Sequence, residues 1–252
     1  VATKACDMLT DSEKIYETVI SFGIITDTQD ITGSILKRTE ITEFDEEKVK
    51  ETILGFQGEY AQIPPMYSAL KVNGKKLYEY AREGIEIERK PRMIQIYSIN
   101  LLWIDKETHR ASFEVSCSKG TYIRTLCHDI GEKLGFGACM SQLTRVKTGG
   151  FFLKDCYKLS EIEEKVKEGC VGEVIRPVES FFLNYPRLNV TPEGDRRLKN
   201  GNLLEEEHIA SLEEQKEEIT PAWFRVHDME GEFQALYEKR NGTYHPAKTF
   251  FR

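Results

Sequence analysis

"CSKGTYIRTLCHDIGEKLG", residues 117–135, joins a glycine turn to an amphipathic helix. Apolar residues recur at helical spacing after Thr121 and predict one buried stripe: Ile123, Leu126, Cys127, Ile130 and Leu134. Lys119 and Arg124 lie off this stripe, at a helix start that free N–H groups and the dipole already make positive. The pattern therefore predicts a bound anion, either a phosphate or an aspartate carboxylate. An ordinary salt bridge with a local acid fits "GTYIR" by itself equally well.

A second stretch, "MYSALKVNGKKLYEY" (66–80), interleaves basic and aromatic residues: Tyr67, Lys71, Lys75, Lys76, Tyr78 and Tyr80. This mixture suits RNA phosphates and unstacked bases, although a solvated basic helix face has the same composition. Tyr122, beside Arg124, offers another flat ring that either stacks on a base or packs internally. From the residues alone we infer a basic groove with aromatics, with RNA as the favoured ligand.

The composition is that of a soluble globular protein, with 40% hydrophobic and 31% charged residues in 252. A net charge of −7 argues against a generic nucleic-acid binder, but residues 66–147 carry 14 Lys and Arg against 9 Asp and Glu. We see no apolar run of bilayer length and no signal peptide in residues 1–12, so a cytoplasmic protein without membrane contact is expected. The six cysteines lack zinc-site spacing and are predicted to be reduced, mostly structural thiols, with Cys127 packed on the apolar side of the helix rather than acting as a ligand or nucleophile.

The order of elements predicts an α+β fold. Alternating β-branched and aromatic residues predict a strand at 14–26. Two more strands are expected at 93–104 and 110–117, and a strand, a glycine bend and a second strand over 140–153. Asp45 is a candidate N-cap for a helix over 44–58. From about Tyr185 onward, short strand candidates indicate a small β-rich domain. Antiparallel strands with helices packed on them fit this order better than alternating βαβ units.

Five ordered motifs carry a family resemblance: "ATKACDMLTDSEKIYE" (2–17), "TDTQDITG" (26–33), "QIPPMYSALKVNGKKLYEYAREG" (62–84), "CSKGTYIRTLCHDIGEKLG" (117–135) and "LTRVKTGGF" (143–151). Through them the whole chain resembles the bacterial TruB-type tRNA pseudouridine synthases. The resemblance implies a catalytic domain over 1–184, with an insertion at about 63–92 that closes on the tRNA T-arm. It also implies a PUA-like RNA-binding domain over 185–252, entered near "LKNG" (198–201).

The resemblance also assigns roles to single residues. Tyr16 corresponds to the tyrosine that stacks on the target base and assists proton removal. Arg124 corresponds to the arginine that pairs with the catalytic aspartate, which would be the missing anion. Tyr122 and Leu143 correspond to the uracil pocket, and Asp30 to an acid held near the active site. The basic residues expected to contact substrate are Lys119 and Lys71.

Two positions depart from the family pattern. The catalytic aspartate of the family lies in a "G-x-L-D-P" loop ahead of the "ATK" segment, and the given sequence opens on "VATK". The nucleophile is therefore not among these residues, and we expect the given chain to be inactive by itself. Thr144 stands where the family often carries arginine, which would soften nearby phosphate contacts.

The activity implied is the isomerisation of uridine 55 in the tRNA T-loop to pseudouridine, by base flipping and without metal or organic cofactor. The enzyme is expected to act as a monomer on tRNA. Two alternatives remain open at this point. One is that the given chain is a non-catalytic tRNA-binding module or folding helper. The other is that it belongs to a guide-RNA-dependent enzyme of the dyskerin type, which shares "GTYIRTLC".

Overall fold

The structure, a computed structural model, describes residues 2–10, 13–213 and 223–250. The chain forms two compact units, Leu9–Cys156 and a unit made by Val1–Met8 with Tyr157–Arg252. The helices, in chain order, are α1 (Cys6–Thr10), α2 (Glu46–Leu54), α3 (Leu77–Arg82), α4 (Ile123–Leu134), α5 (Leu159–Lys167) and α6 (Pro192–Lys199). The strands are β1 (Lys14–Phe22), β2 (Ile24–Thr26), β3 (Ile35–Arg38), β4 (Gly58–Gln62), β5 (Lys71–Val72), β6 (Lys75–Lys76), β7 (Arg92–Asp105), β8 (Arg110–Cys117), β9 (Ala138–Thr148), β10 (Phe151–Phe152), β11 (Arg187–Val190), β12 (Ile209–Leu212), β13 (Trp223–His227), β14 (Phe233–Arg240) and β15 (Thr243–Thr249).

The first unit is built on a six-stranded sheet in the order β10-β9-β1-β8-β7-β4, in which every neighbouring pair is antiparallel. Helix α4 packs against β9 and β1, and α2 packs against β7 and α4. The residues of the predicted α4 stripe, Ile123, Leu126, Cys127, Ile130 and Leu134, are all buried in the core between these elements. The stripe prediction is confirmed, and it leaves Arg124 half-buried at the edge of the packed face.

Glycines fix where α4 ends and how closely it packs. Gly135 ends the helix in the left-handed conformation (φ +82°), which a residue without Cβ adopts readily. Gly131 faces β9, and a Cβ placed there would lie 2.3 Å from the Ala138 nitrogen. The C-terminal half of the helix therefore lies close to the start of β9.

Helix α2 begins as predicted and ends earlier. The Asp45 side chain accepts hydrogen bonds from the backbone N–H groups of Glu47 (3.0 Å) and Lys48 (3.2 Å), which confirms the N-cap. The helix stops at Leu54, and β4 begins four residues later at Gly58, where the sequence predicted continued helix. Strand β4 was missed because it is a short edge strand that pairs only with β7.

The second unit contains a five-stranded sheet in the order β12-β11-β13-β14-β15. It is mixed, because β11 is parallel to β13 while the other pairs are antiparallel. Leu188, Val226, Tyr237 and Tyr244 are fully or almost fully buried in its core. The α+β class with a β-rich C-terminal region is confirmed, and the domain boundary near Tyr185 stays a prediction. Among the described residues, no helix is long and apolar enough to cross a membrane.

Candidate active site

The Arg124 side chain is held by two backbone carbonyls. Its Nη2 donates to the Tyr67 carbonyl at 2.8 Å, and its Nη1 donates to the Thr28 carbonyl at 3.3 Å. These carbonyls belong to separate segments, the turn between β2 and β3 and the stretch between β4 and β5. The guanidinium group is therefore anchored where these two segments meet the start of α4. A guanidinium has five N–H donors, so three remain for a carboxylate or phosphate.

The turn after β2 is fixed to α4 and β9 by its own polar groups. Gln29 adopts a positive φ of 62°, and its side-chain oxygen accepts a hydrogen bond from the buried Thr125 hydroxyl at 2.8 Å. The Asp30 carboxylate accepts from the backbone N–H and the hydroxyl of Thr32, at 2.9 and 2.6 Å. Asp30 thus lies in the turn that contacts Arg124, while one oxygen of its carboxylate organises that turn.

Tyr16 lies on β1 between its cross-strand neighbours Val115 on β8 and Arg145 on β9. The ring is half-buried and packs against the core. Burial raises the pKa of its phenol, the Cys117 thiol adds to this, and the Arg145 guanidinium acts in the opposite direction. The phenol is therefore protonated at neutral pH.

Leu143 of β9 is partly exposed and lies opposite Thr18 of β1, on the face of the sheet that also carries Tyr16. The buried Thr18 hydroxyl lies 3.9 Å from the Cys127 sulfur of α4, so this is the face that α4 covers. Tyr16 and Leu143 accordingly flank the region where α4 begins.

Tyr122 is the N-cap residue of α4 and makes no side-chain capping bond. Its backbone is held instead by Gln62, whose side chain accepts from the Tyr122 N–H (2.8 Å) and donates to the Tyr122 carbonyl (3.0 Å). Lys119 is exposed in the turn that precedes the helix. Lys71 is exposed on the β5–β6 hairpin, where it pairs with Lys76. The structure thus places Tyr122 and Arg124 at the start of α4 and Tyr16 on the sheet face that α4 covers, and it leaves the two lysines on flanking loops.

Part of the basic and aromatic segment pairs internally. Lys75 lies 4.7 Å from the Tyr80 ring centre, and Lys76 and Arg82 each lie 5.3 Å from that of Tyr78. These cation–π contacts occupy ring faces that the sequence offered to bases. The segment is therefore both a folded hairpin and helix and a basic surface.

Burial raises the pKa of the Cys117 thiol to about 11 and that of the Cys127 thiol to about 12. Both remain protonated and unreactive at neutral pH, and the burial of Cys127 agrees with the packed thiol predicted there. Among the described residues, one cluster has the spacing of a metal site: Glu205, Glu207 and His208. The His208 ring accepts a hydrogen bond from the Glu205 N–H at 2.9 Å and so closes this turn without a metal.

Sequence reasoning missed the groups that hold the site together. The Thr28 and Tyr67 carbonyls are backbone atoms, which no residue type reveals. Gln62 left a signal that was not used, since alternation along "GEYAQ" (58–62) places it on the same face as Tyr60. A glutamine on the inward face of a strand needs internal hydrogen-bond partners.

The fold agrees with the comparisons with known proteins. The model of the TruB family pseudouridylate synthase (N terminal domain) matches residues 1–123, and that of the tRNA pseudouridylate synthase B C-terminal domain matches residues 124–182. The tRNA pseudouridine synthase B of Lachnoclostridium phytofermentans is 45% identical over 99% of this chain and 83% of its own length. That of Oceanobacillus iheyensis is 40% identical over 94% of this chain and 76% of its own length. The chain belongs to the TruB family of pseudouridylate synthases.

Solved structures support the same fold. A Cbf5–Nop10–Gar1 complex contains a chain with a TM-score of 0.66 and 21% identity, matched over 99% of this chain and 69% of that one. An H/ACA RNP bound to a substrate RNA containing 2′-deoxyuridine gives a TM-score of 0.68 at 19% identity, with the same coverage. At this identity the likeness concerns the fold alone.

Proposed function

We propose that this protein isomerises a uridine of the tRNA T-loop, at position 55, to pseudouridine. The observation that carries the proposal is the position of Arg124 and Tyr122 at the start of α4, which covers the sheet face that carries Tyr16, in a chain of the TruB family. The relatives named tRNA pseudouridine synthase B support tRNA as the substrate, and they favour this branch over the guide-dependent one.

In the proposed reaction the target uridine leaves its stack, at a cost of a few kcal/mol, and lies against Tyr16, Tyr122 and Leu143. An aspartate from the segment ahead of "ATK" in the family pattern starts the chemistry. The bond between N1 and the ribose C1′ breaks, the uracil rotates, and C5 bonds to C1′. C5 then loses its proton and N1 gains one, so that atoms and charge balance. Neither a metal nor an organic cofactor takes part.

Arg124 is proposed to hold that aspartate. Its three remaining N–H donors suffice for a bidentate carboxylate while the Thr28 and Tyr67 carbonyls keep the other two. An opposite charge at contact distance lowers the pKa of a carboxyl group by roughly 1 to 3, so the aspartate stays ionised. Tyr16 enters as a protonated phenol whose hydroxyl assists proton transfer at C5.

The insertion at about 63–92 is proposed to bind the T-arm. It contains the β5–β6 hairpin and α3, and it exposes Lys71 and Arg82. It also supplies the Tyr67 carbonyl to Arg124, so the RNA-binding segment and the catalytic arginine share a contact. Lys119, exposed before α4, is proposed to meet a phosphate of the same arm.

Residues 185–252 are proposed to be a PUA-like RNA-binding domain. The second unit, to which they belong, holds an open cavity of about 600 Å³, lined by Lys4, Lys199, Asn200, Gly201, Pro246, Ala247, Lys248 and Thr249. Three of these residues are lysines, which suits a phosphate backbone. The "LKNG" stretch (198–201) contributes part of the lining.

The proposal is tested by incubating an unmodified tRNA transcript with the enzyme, supplied with its aspartate-bearing segment, and mapping pseudouridine. We expect modification at the T-loop uridine, as a monomer and without guide RNA. A transcript in which that uridine is replaced by cytidine is the matched control. Binding without any pseudouridine would identify an RNA-binding helper, and modification only with added guide RNA would identify a dyskerin-type enzyme. Either result contradicts the proposal.

A further inference from the structure

Gln62 is a buried polar side chain beside the site, and both ends of its carboxamide form hydrogen bonds. It is 1% exposed and ends β4, the edge strand of the large sheet. Its register opposite Arg92 on β7 and the two prolines that follow Ile63 fix its backbone. Both ends of its carboxamide face the same peptide group, the backbone of Tyr122.

These two bonds act at the start of α4. The Tyr122 carbonyl is also the first acceptor of the helix, since it takes the Leu126 N–H at 3.1 Å. Gln62 therefore fills the second lone pair of this carbonyl and also satisfies the Tyr122 N–H. The side chain of the N-cap residue, Tyr122, makes no capping hydrogen bond of its own. The direction in which the first turn of α4 leaves the sheet depends on the Gln62 carboxamide.

We propose that Gln62 is a positioning residue, whose bidentate grip on the Tyr122 backbone sets the Tyr122 ring and the Arg124 guanidinium for the reaction. Arg124 follows two residues later in the same turn. The chain that leaves Gln62 returns to this arginine through the Tyr67 carbonyl, five residues further on. Residues 62–67 thus contact the start of α4 at two points, one on its backbone and one on its catalytic side chain. This proposal rests on the proposed function.

The strand also provides a matched control. Tyr60 projects from the same face of β4, and its hydroxyl donates to the Asp129 carboxylate on α4. Asp129 lies seven residues after Tyr122, which is about 10 Å further along a helix. The variant Tyr60→Phe removes a hydrogen bond between the same two elements without touching the first turn of α4. It separates positioning of the site from general anchoring of the helix.

The test compares Gln62→Leu, Gln62→Glu and Tyr60→Phe in the enzyme supplied with its aspartate-bearing segment. The readouts are the single-turnover rate of pseudouridine formation at saturating tRNA, and the Kd for tRNA. We expect Gln62→Leu to lower the rate by at least about tenfold, because misplaced catalytic groups are costly, while the Kd changes by less than about threefold. Tyr60→Phe should keep the rate within about twofold, since it leaves the site intact.

Gln62→Glu gives an internal rescue. At this buried position a protonated acid donates and accepts as the amide does, whereas a carboxylate repels the Tyr122 carbonyl. Rates are expressed relative to wild type at the same pH. The rate of Gln62→Glu should equal that of Gln62→Leu at pH 8, and it should recover to within about threefold of wild type as the pH falls to 5.5. Because both states belong to one folded variant, this comparison holds even if Gln62→Leu fails to fold.

Hydrogen exchange separates this proposal from the proposed function. Amides in residues 118–126 should exchange faster in Gln62→Glu at pH 8 than in wild type, and those in 127–134 should change less. A wild-type enzyme that makes no pseudouridine overturns the proposed function. In that case the exchange data alone test whether the Gln62 side chain holds the Tyr122 backbone. An unchanged rate in Gln62→Leu, a Gln62→Glu rate with no recovery in acid, or unchanged exchange would overturn the positioning role.

Discussion

Arg124 shows what a residue pattern predicts and what it omits. A cation at the positive end of α4 predicts an anion, because the helix alone disfavours that charge. The structure adds that the guanidinium is already oriented by the Thr28 and Tyr67 carbonyls. Such contacts are not predictable from residue types, because every residue carries the same carbonyl. Candidate side chains could be named from sequence, and the backbone groups that hold Arg124 could not.

Tyr16 offers a test at the same scale. The change Tyr16→Phe keeps the ring that packs beside β8 and β9 and removes only the hydroxyl. We expect turnover to fall by about 100-fold or more, the range for loss of an acid–base group, with tRNA affinity retained. The measurement is a single-turnover rate together with a Kd for tRNA.

The control is the same change at Tyr97, which is exposed on β7. Tyr97→Phe should alter neither quantity by more than about twofold, as for a surface substitution away from the site. Equal rates in the two variants would show that the Tyr16 hydroxyl has no part in the reaction.

At the scale of elements, strong periodicity was sufficient where an element buries one clear face. Helix α4 and strand β1 were predicted on this basis, and the Asp45 cap located the start of α2. Strand β4 was not predicted, because its five residues bury only their alternate positions at a sheet edge. That omission hid Gln62, since its role depends on which element it ends.

The half-buried Asp129 of α4 predicts a pH dependence of stability. Burial, with a smaller effect of the Glu132 charge, raises the pKa of Asp129 from 3.8 to about 6 in the folded chain. The folded state therefore holds this proton more tightly than the unfolded state, and stability falls as the pH rises from about 4 through 6. Asp129→Asn should remove that loss and stabilise the protein at pH 8, on the order of 1 kcal/mol because the carboxylate is partly screened by water.

Urea unfolding at pH 4, 6 and 8 measures this effect. Wild type and Asp129→Asn should agree at pH 4 and diverge as the pH rises. Glu132→Gln should move the wild-type transition to lower pH, because it removes the neighbouring negative charge. A stability difference that is the same at all three pH values would rule out this origin.

At the scale of the whole molecule, charge is unevenly distributed along an acidic chain. Residues 66–147 are net basic and contain most of the proposed insertion (63–92) and the start of α4, while the net charge of the chain is −7. The second unit has an acidic composition, yet it contains a cavity lined by three lysines. The negative net charge of the chain therefore does not exclude nucleic-acid binding, because such binding depends on local basic patches.

The cavity predicts an electrostatic contribution to tRNA binding. Lys4→Gln removes one lysine from its lining, and we expect the Kd for tRNA to rise by about threefold and the salt dependence to weaken by about one phosphate contact. Turnover at saturating tRNA should be unchanged, because the cavity lies in the second unit. Lys167→Gln, an exposed lysine on α5, is the control. Equal affinities of the two variants would contradict an RNA-binding cavity.

The central claim is that Arg124 aims the carboxylate that starts uridine isomerisation, and the single-turnover rate of Arg124→Lys tests it most directly. Lysine keeps the charge and loses the planar fork, so the rate should fall by about 100-fold while the Kd for tRNA stays within about twofold. Arg110→Lys, the same change at an exposed position on β8, should leave both unchanged. A wild-type rate in Arg124→Lys, or a loss that appears only in the Kd, would contradict the account.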